Sequence, residues 1–317
     1  MAKTGKLPIS TMAAANGGKD QGFSLIPQEK LLTLYSMMLK CRLLAQRTGQ
    51  MAPESAFGQS LGSEAAVAGI AIGLNPEDII IASPQNPLPG FFKGLPLERI
   101  FEGGGDRAMD HPAWNVFFRS GEVAALLTLA TRVALESKVR STGQIAVVFC
   151  GDHPQAEAFW EETLTFAGEK ELPILFVCQE RNGASGVGQR GKSNGSVKDK
   201  SFGVPAISVD GNDAVAVYRV ASESISRARL GRGPTVIDCR SFRVAGASTE
   251  SLSKTKPANL GGKQELFGRI GEDGVVNMER YLSRKELFDE DYRNSVNAAF
   301  EAEIDAALAM AQVLPKA

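Results

Sequence analysis

Apolar residues along this chain fall into two kinds of pattern that alternate from end to end. The first is a short strand-like run: Asp78-Ile79-Ile80-Ile81-Ala82, Ile145 to Cys150, Ile174 to Cys178, Ala206 to Asp210 and Thr235 to Cys239. From Ile145 to Cys150 the run is continuous rather than alternating, as suits a parallel strand covered on both faces. The second is a longer segment in which apolar residues recur every three or four positions. It opens after Pro27 with Leu31, Leu34, Tyr35, Met38 and Leu39. It recurs over Glu64 to Ile72, where Ser63 is the predicted cap and Gly73 the stop, and again over Val123 to Lys138. Further helices are predicted from Gln155 to Glu169, from Asp213 to Arg229, and between Val275 and Gln312. Strands and helices in strict succession predict a doubly wound α/β fold, with a mainly parallel sheet between two helical layers.

The same pattern divides the chain. Residues 1–24 are rich in Gly, Ala, Lys and Ser, have no continuous apolar stretch, and read as a disordered tail rather than a signal peptide. Residues 25–247 carry the α/β alternation, and residues 248–317 a polar stretch followed by the closing helices. A formal charge of −1 leaves no footprint for nucleic acid or an anionic membrane. No segment reaches the roughly 18–20 apolar residues of a membrane span, so a cytoplasmic protein is expected. Cys41, Cys150, Cys178 and Cys239 are widely spaced. Three of them close apolar runs, which predicts buried free thiols rather than disulfides or a metal site.

Ligands of doubly wound sheets bind beyond the carboxyl ends of the strands. Gly151-Asp152-His153 follows one predicted strand immediately, and Gln179-Glu180-Arg181-Asn182-Gly183 follows another, so the two loops are expected to converge. The Asp152 carboxylate and the Asn182 amide oxygen suit Mg²⁺, which takes hard oxygen ligands and commonly bridges to phosphate. A helix starting near Gln155 adds its amino-terminal dipole to such a site. The plainer reading of Gly151-Asp152 is a strand-to-helix turn capped by Asp. The loop from Gly183 to Gly195 is rich in Gly, Ser and Lys and contains Gly191-Lys192-Ser193, but the next predicted element is a strand rather than the helix that a P-loop opens, so it reads as mobile.

These segments resemble a known family. Gly151-Asp152-His153 with Gln179-Glu180-Arg181-Asn182 is similar to the Gly-Asp-Gly … Asn-Asn motif of thiamine diphosphate enzymes. The surroundings resemble the alpha subunit of 2-oxo acid dehydrogenases of the pyruvate, branched-chain and acetoin type. Gly62-Ser63-Glu64-Ala65 resembles that family's Gly-Gln-Glu-Ala, and Gly94 to Phe101 its Gly-Val-Pro-Leu-Glu-Glu-Ile-Phe. Glu171 to Cys178, Val209 to Asp213, Gly233 to Ile237 and the region of Tyr281-Leu282 are similar to further family segments. The likeness runs from about Pro27 to Gln312. It implies the thiamine diphosphate-binding fold, thiamine diphosphate with Mg²⁺ as cofactors, and Gly151, Asp152, His153, Arg181, Asn182 and Gly183 around them. Asp152 and Asn182 are the implied metal ligands. It also implies a homodimer, or a heterotetramer with a beta-type subunit supplying the glutamate that activates the cofactor.

The chain departs from the family at chemically demanding positions. His153 stands where the motif has a glycine, and Arg181 where it has the second asparagine, a cation that repels a metal. Arg181 is alternatively a direct phosphate ligand, doing with a fixed charge what Mg²⁺ does. The family's Tyr-Arg pair and nearby His fall on Pro84, Gln85 and Pro87, and another His on Ala247. Only two histidines remain as catalytic candidates: His153, or else a packing ring, and His111, or else a loop histidine beside Pro112. Glu64 reads as a first-turn helix residue more readily than as a catalytic one. Two functional readings follow. One is an enzyme subunit for oxidative decarboxylation of a 2-oxo acid with acyl transfer to a lipoyl carrier, its own activity impaired or lost. The other is a non-catalytic structural or regulatory homologue that keeps the fold and the assembly surface.

Overall fold

The chain's computed structural model describes residues 26–51, 62–84, 86–102, 110–119, 123–151, 157–182, 201–242 and 273–313. Pro27 precedes a long first helix, α1 (Gln28–Met51), and α2 (Glu64–Ala71) leads into β1 (Ile79–Ala82). Two short helices, α3 (Leu88–Phe92) and α4 (Leu97–Glu102), come before the two-residue β2 (Asp110–His111) and β3 (Val116–Phe118). The alternation then continues through α5 (Val123–Arg140), β4 (Ala146–Gly151), α6 (Glu157–Glu169), β5 (Ile174–Asn182), β6 (Ala206–Asp210), α7 (Ala214–Arg229) and β7 (Thr235–Phe242). Helices α8 (Gly274–Arg284) and α9 (Glu290–Val313) close the described chain.

Among the described residues the strands form one seven-stranded sheet in the order β2-β3-β1-β4-β5-β7-β6. Every neighbour is parallel except the β2–β3 pair. Ile79 to Ile81 lie beside Ala146 to Val148, and Ala146 to Phe149 beside Ile174 to Val177. Alternate residues of each strand therefore serve opposite faces. Ile80, Val147, Phe149, Leu175 and Val177 share one core with α2 and α7, into which α1, α4 and α9 also reach. Ile81, Val148, Cys150, Phe176 and Cys178 share the other with α5 and α6, where Trp160 packs edge-on against Phe176. The apolar runs of β1, β4 and β5 are continuous because both faces are buried, whereas β6, at the edge of the sheet, is only partly covered. A third cluster joins α1 to the closing helices through Tyr35, Met38, Met278 and Leu282.

Several expectations are corrected. The strand that was expected to end at Cys178 continues to Asn182, because Gln179 to Asn182 pair with Cys239 to Phe242 of an equally extended β7. His111 is a strand residue, paired through its backbone with Val116, rather than a loop residue. Ser63 occupies the cap position of α2, but its side chain makes no capping hydrogen bond. Asp78 stands before β1 rather than in it. The four cysteines are buried free thiols, as expected.

Two features hold the layers at fixed distance. Asp78 is fully buried at the amino edge of the sheet. Its carboxylate accepts from Asn75 N–H (2.6 Å), Ile145 N–H (3.1 Å) and both terminal nitrogens of Arg229 (3.0 and 2.5 Å). One side chain thus joins the start of β1, the start of β4 and the end of α7. On the other side of that core, α2 lies almost against α7. A Cβ built on Gly69 falls 2.8 Å from Val217 Cγ1 and 3.0 Å from the Ala214 carbonyl oxygen.

Gly69→Ala is expected to destabilise the chain by about 1–3 kcal/mol, since backbone on one side leaves no room to yield. That net loss stands against the ~1 kcal/mol that alanine gains over glycine inside a helix. A lowered urea midpoint at unchanged slope is the measurement; an unchanged or raised midpoint contradicts the close contact.

The buried thiols give a pH dependence. Burial pushes Cys41 up, with help from Glu64. The hydrogen bond that the Cys150 thiol makes to Cys178, together with burial, pushes Cys150 up, and burial beside Asp238 does the same to Cys239. An acid whose folded pKa is raised keeps its proton in the native state while the unfolded chain loses it. The stabilisation is therefore full below the unfolded thiol value of about 8.5 and falls as pH climbs from there toward the folded values. The expected loss is up to about 1.4 kcal/mol per pH unit for each such thiol. Denaturant midpoints between about pH 7 and about pH 10 should show it, and replacing Cys41, Cys150 and Cys239 by alanine should flatten the alkaline limb.

Candidate functional site at the carboxyl edge of the sheet

Parallel β1, β4 and β5 are consecutive in the sheet, so their carboxyl ends lie side by side. Gly151, the last residue of β4, is in register with Cys178 of β5, past an irregularity between Phe149 and Gly151. The two motif-bearing segments therefore do leave neighbouring strands at the same edge. Arg181 and Asn182 are backbone-paired with Ser241 and Phe242, which makes them strand residues at that edge. Asp152, His153, Gly183, Gln85 and Ala247 lie outside the described residues.

What the structure adds is a bridge over the end of β4. The chain turns after β1 through the Asn86 N–H to Ser83 carbonyl bond (2.8 Å). That turn brings the Asn86 Nδ2 amide to donate to Gln179 Oε1 at 3.0 Å. Gln179 shares its face of β5 with Leu175 and Val177 and is only 5% exposed. The remaining atoms of the two amides, Asn86 Oδ1 and Gln179 Nε2, are buried with no hydrogen-bond partner among the described residues. One is an acceptor and the other a donor. Pro84 is half-buried, and Pro87, buried, precedes α3 as its cap residue.

Two arginines on either side of this bridge, Arg119 and Arg240, are each matched by a carboxylate. Beyond β1, the Arg119 N–H extends the ladder by donating to the Ala82 carbonyl (3.0 Å). Its guanidinium holds both oxygens of Asp110. On the other flank, Arg240 Nε donates to Asp238 Oδ2 at 2.9 Å, and Ser208 Oγ donates to the same oxygen at 3.1 Å. Among the described residues, no group of three or more His, Cys, Asp or Glu side chains is placed to hold a metal ion.

His111 is buried beside this flank, edge-on to Trp114 and Phe118 at ring-centroid distances of 6.2 and 6.1 Å. It is a packed ring of the β2–β3 pair. Glu64 is 2% exposed and sits in the first turn of α2. Its Oε1 accepts from Arg42 Nε (2.8 Å) and its Oε2 from the Gly62 N–H (2.8 Å). Arg42 reaches on to Asp273 at 3.0 Å, and Asp273 caps α8 by accepting from Val275 and Val276 N–H. Burial pulls the Arg42 guanidinium down, but the Glu64 and Asp273 carboxylates more than reverse this and hold it protonated. Because α2 runs into the amino end of β1, its first turn faces the carboxyl edge, and this ion network braces the helices behind the site.

The Asn86–Gln179 pair was not singled out from the sequence. The signal available was weak: an amide between prolines, and a polar residue just past an apolar run.

Comparison with known proteins fits this architecture. Residues 29–317 match the family model described as dehydrogenase E1 component. A pyruvate dehydrogenase E1 component subunit alpha from Acholeplasma laidlawii is 27% identical over 296 residues, covering 88% of this chain and 83% of that protein. The proteins of the same name from Staphylococcus aureus and Staphylococcus epidermidis are 27% and 28% identical, each over 89% of this chain and 78% of their own length. The match spans nearly every described element, from α1 to α9, and on it the chain belongs to the dehydrogenase E1 component family.

Proposed function

We propose that this chain is an alpha-type component of a 2-oxo acid dehydrogenase assembly that keeps the scaffold and the surface for a beta-type subunit, while its own diphosphate–metal site is altered. Intrinsic Mg²⁺-dependent binding of thiamine diphosphate is lost in this reading. The observation that carries it is the bridge at the end of β4. A diphosphate calls for a fork of charged donors, and among the described residues the edge offers an uncharged amide couple. Arg119 is committed to Asp110, and Pro84 has no donor to give. Arg181, in the strand beside β4, stands where the resemblance has a metal-side asparagine. The described residues do not fit the cofactor's charged end.

The chain's own residues then have structural work: the Arg42–Glu64–Asp273 network and the Tyr35–Glu279 bond (2.8 Å) hold α1, α2 and α8 as one unit. The assembly role belongs to that unit and the sheet together. The competing reading, a working enzyme subunit, rests on Asp152, which follows Gly151 in the sequence, and on Asn182, the last residue of β5.

Calorimetric titration of the full chain with thiamine diphosphate and Mg²⁺, alone and with a beta-type subunit, separates the two. No heat of binding is expected in the micromolar range. Tight, metal-dependent binding would overturn the proposal, and in that case Asp152→Ala should abolish it while Arg181→Asn should strengthen it.

A further inference from the structure

Cys150 and Cys178 are two thiols that the candidate site does not use, and the fold sets them side by side. β4 and β5 are parallel neighbours, with Val148 beside Phe176 and Phe149 beside Val177. The register then slips. Cys178 is matched by Gly151 rather than Cys150, so β4 carries one residue more than β5 at this point. Such a bulge bends its strand and re-aims the side chain of the extra residue. Cys150 nevertheless stays on the face of Val148, in the core that Cys178 shares with Phe176. The Cys150 thiol makes a hydrogen bond to Cys178 and has the Val148 carbonyl as a further acceptor at 3.7 Å. Both sulfurs are free thiols, and the two residues are 3% and 1% exposed. Cys41 and Cys239 are buried in the core on the opposite face of the sheet.

Neighbouring strands of a sheet run about 4.8 Å apart. That lies inside the roughly 4.4–6.8 Å between α-carbons that a disulfide spans. A disulfide also asks its β-carbons to approach to about 3.5–4.5 Å, closer than the strands themselves stand. The irregularity at Cys150 frees β4 to make that adjustment, where a regular ladder would resist it. A bridge that has to draw its strands together is reduced more readily than a relaxed one. The pair therefore suits reversible closure rather than a permanent cross-link.

We infer that Cys150 and Cys178 form a site of reversible oxidative modification, closing to a disulfide across β4 and β5 with a peroxide as oxidant. The sulfur of one thiol attacks a peroxide oxygen. An S–O bond forms, the O–O bond breaks, and the second oxygen leaves as water with the thiol's proton, giving a sulfenic acid. The other sulfur then attacks the sulfenic sulfur. The S–S bond forms, the S–O bond breaks, and the hydroxyl leaves as a second water with the remaining proton. Each sulfur gives up one electron, and the peroxide takes up two. Because both thiols are buried, closure proceeds through local opening at the end of β4 and is slow beside that of an exposed pair. The bridge ties together the two strand ends that carry Gly151 and Arg181-Asn182. It stands whether or not the chain binds thiamine diphosphate.

The test treats the full folded chain with hydrogen peroxide, then denatures it, titrates the remaining thiols and maps the non-reduced digest. Two of the four thiols are expected to be lost. They should appear as one Cys150–Cys178 link within a single chain, and dithiothreitol should restore both. The same treatment of the urea-unfolded chain should scatter the links over other pairs, Cys41 and Cys239 included. A Cys41→Ala/Cys239→Ala variant should form the link as the wild type does. Should that variant fail to fold, the wild-type map decides alone, since it needs no substitution. Four thiols intact after excess peroxide overturn the inference. So do links between copies of the chain, links to Cys41 or Cys239 in equal yield from the folded chain, and sulfinic acid at either residue in place of the link.

Discussion

The buried carboxylate of Asp78 is the constraint on which the layered arrangement turns. It is wholly removed from water and is matched by Arg229 and two backbone N–H groups, so charge and hydrogen-bonding capacity are both satisfied. Removing one partner of such a group leaves an uncompensated buried charge, a loss of about 3–5 kcal/mol. Its geometry matters as much as its energy. By fixing where β1 and β4 begin and where α7 ends, it sets the register of the central strands from the amino edge. Everything at the carboxyl edge, including the spacing of Asn86 from Gln179, is carried on strands whose origin is pinned there. The Lys93 ammonium adds to the same corner through the Asn75 and Pro76 carbonyls.

The same strands carry that order toward the site. The apolar runs of β1, β4 and β5 face two cores and are held by packing, where even one methylene is felt. Toward the carboxyl edge β5 turns polar: Gln179 is still buried and meets Asn86, while Arg181 is held through its backbone pairing with Ser241, so the frame persists where the apolar run stops.

The sequence made the frame legible where periodicity was long. Five of the seven described strands and the long helices fall on runs read from the sequence. The elements that escaped are those made by pairing rather than by pattern. β2 and β3 are two and three residues long and exist because Asp110 and His111 lie against Phe117 and Val116. The last four residues of β5 are polar, and only the opposite strand, extended to Phe242, makes them strand. Ser63 shows the converse: a residue suited to capping stands at the cap position, yet the neighbouring Glu64 takes the Gly62 N–H and Arg42 instead.

The site was half legible for the same reason. Motif spacing correctly brought the ends of β4 and β5 together, because adjacency in a parallel sheet follows from the order of strand–helix units. The contact between Asn86 and Gln179 joins residues 93 positions apart, and no local pattern announces a pairing at that range. Glu64 was legible as a first-turn residue but not as the partner of Arg42, whose reach to Asp273 crosses almost the whole chain. Membership of the dehydrogenase E1 component family rests on the frame, which packing preserves. The Asn86–Gln179 pair at the carboxyl edge rests instead on two amides that only the folded sheet brings together.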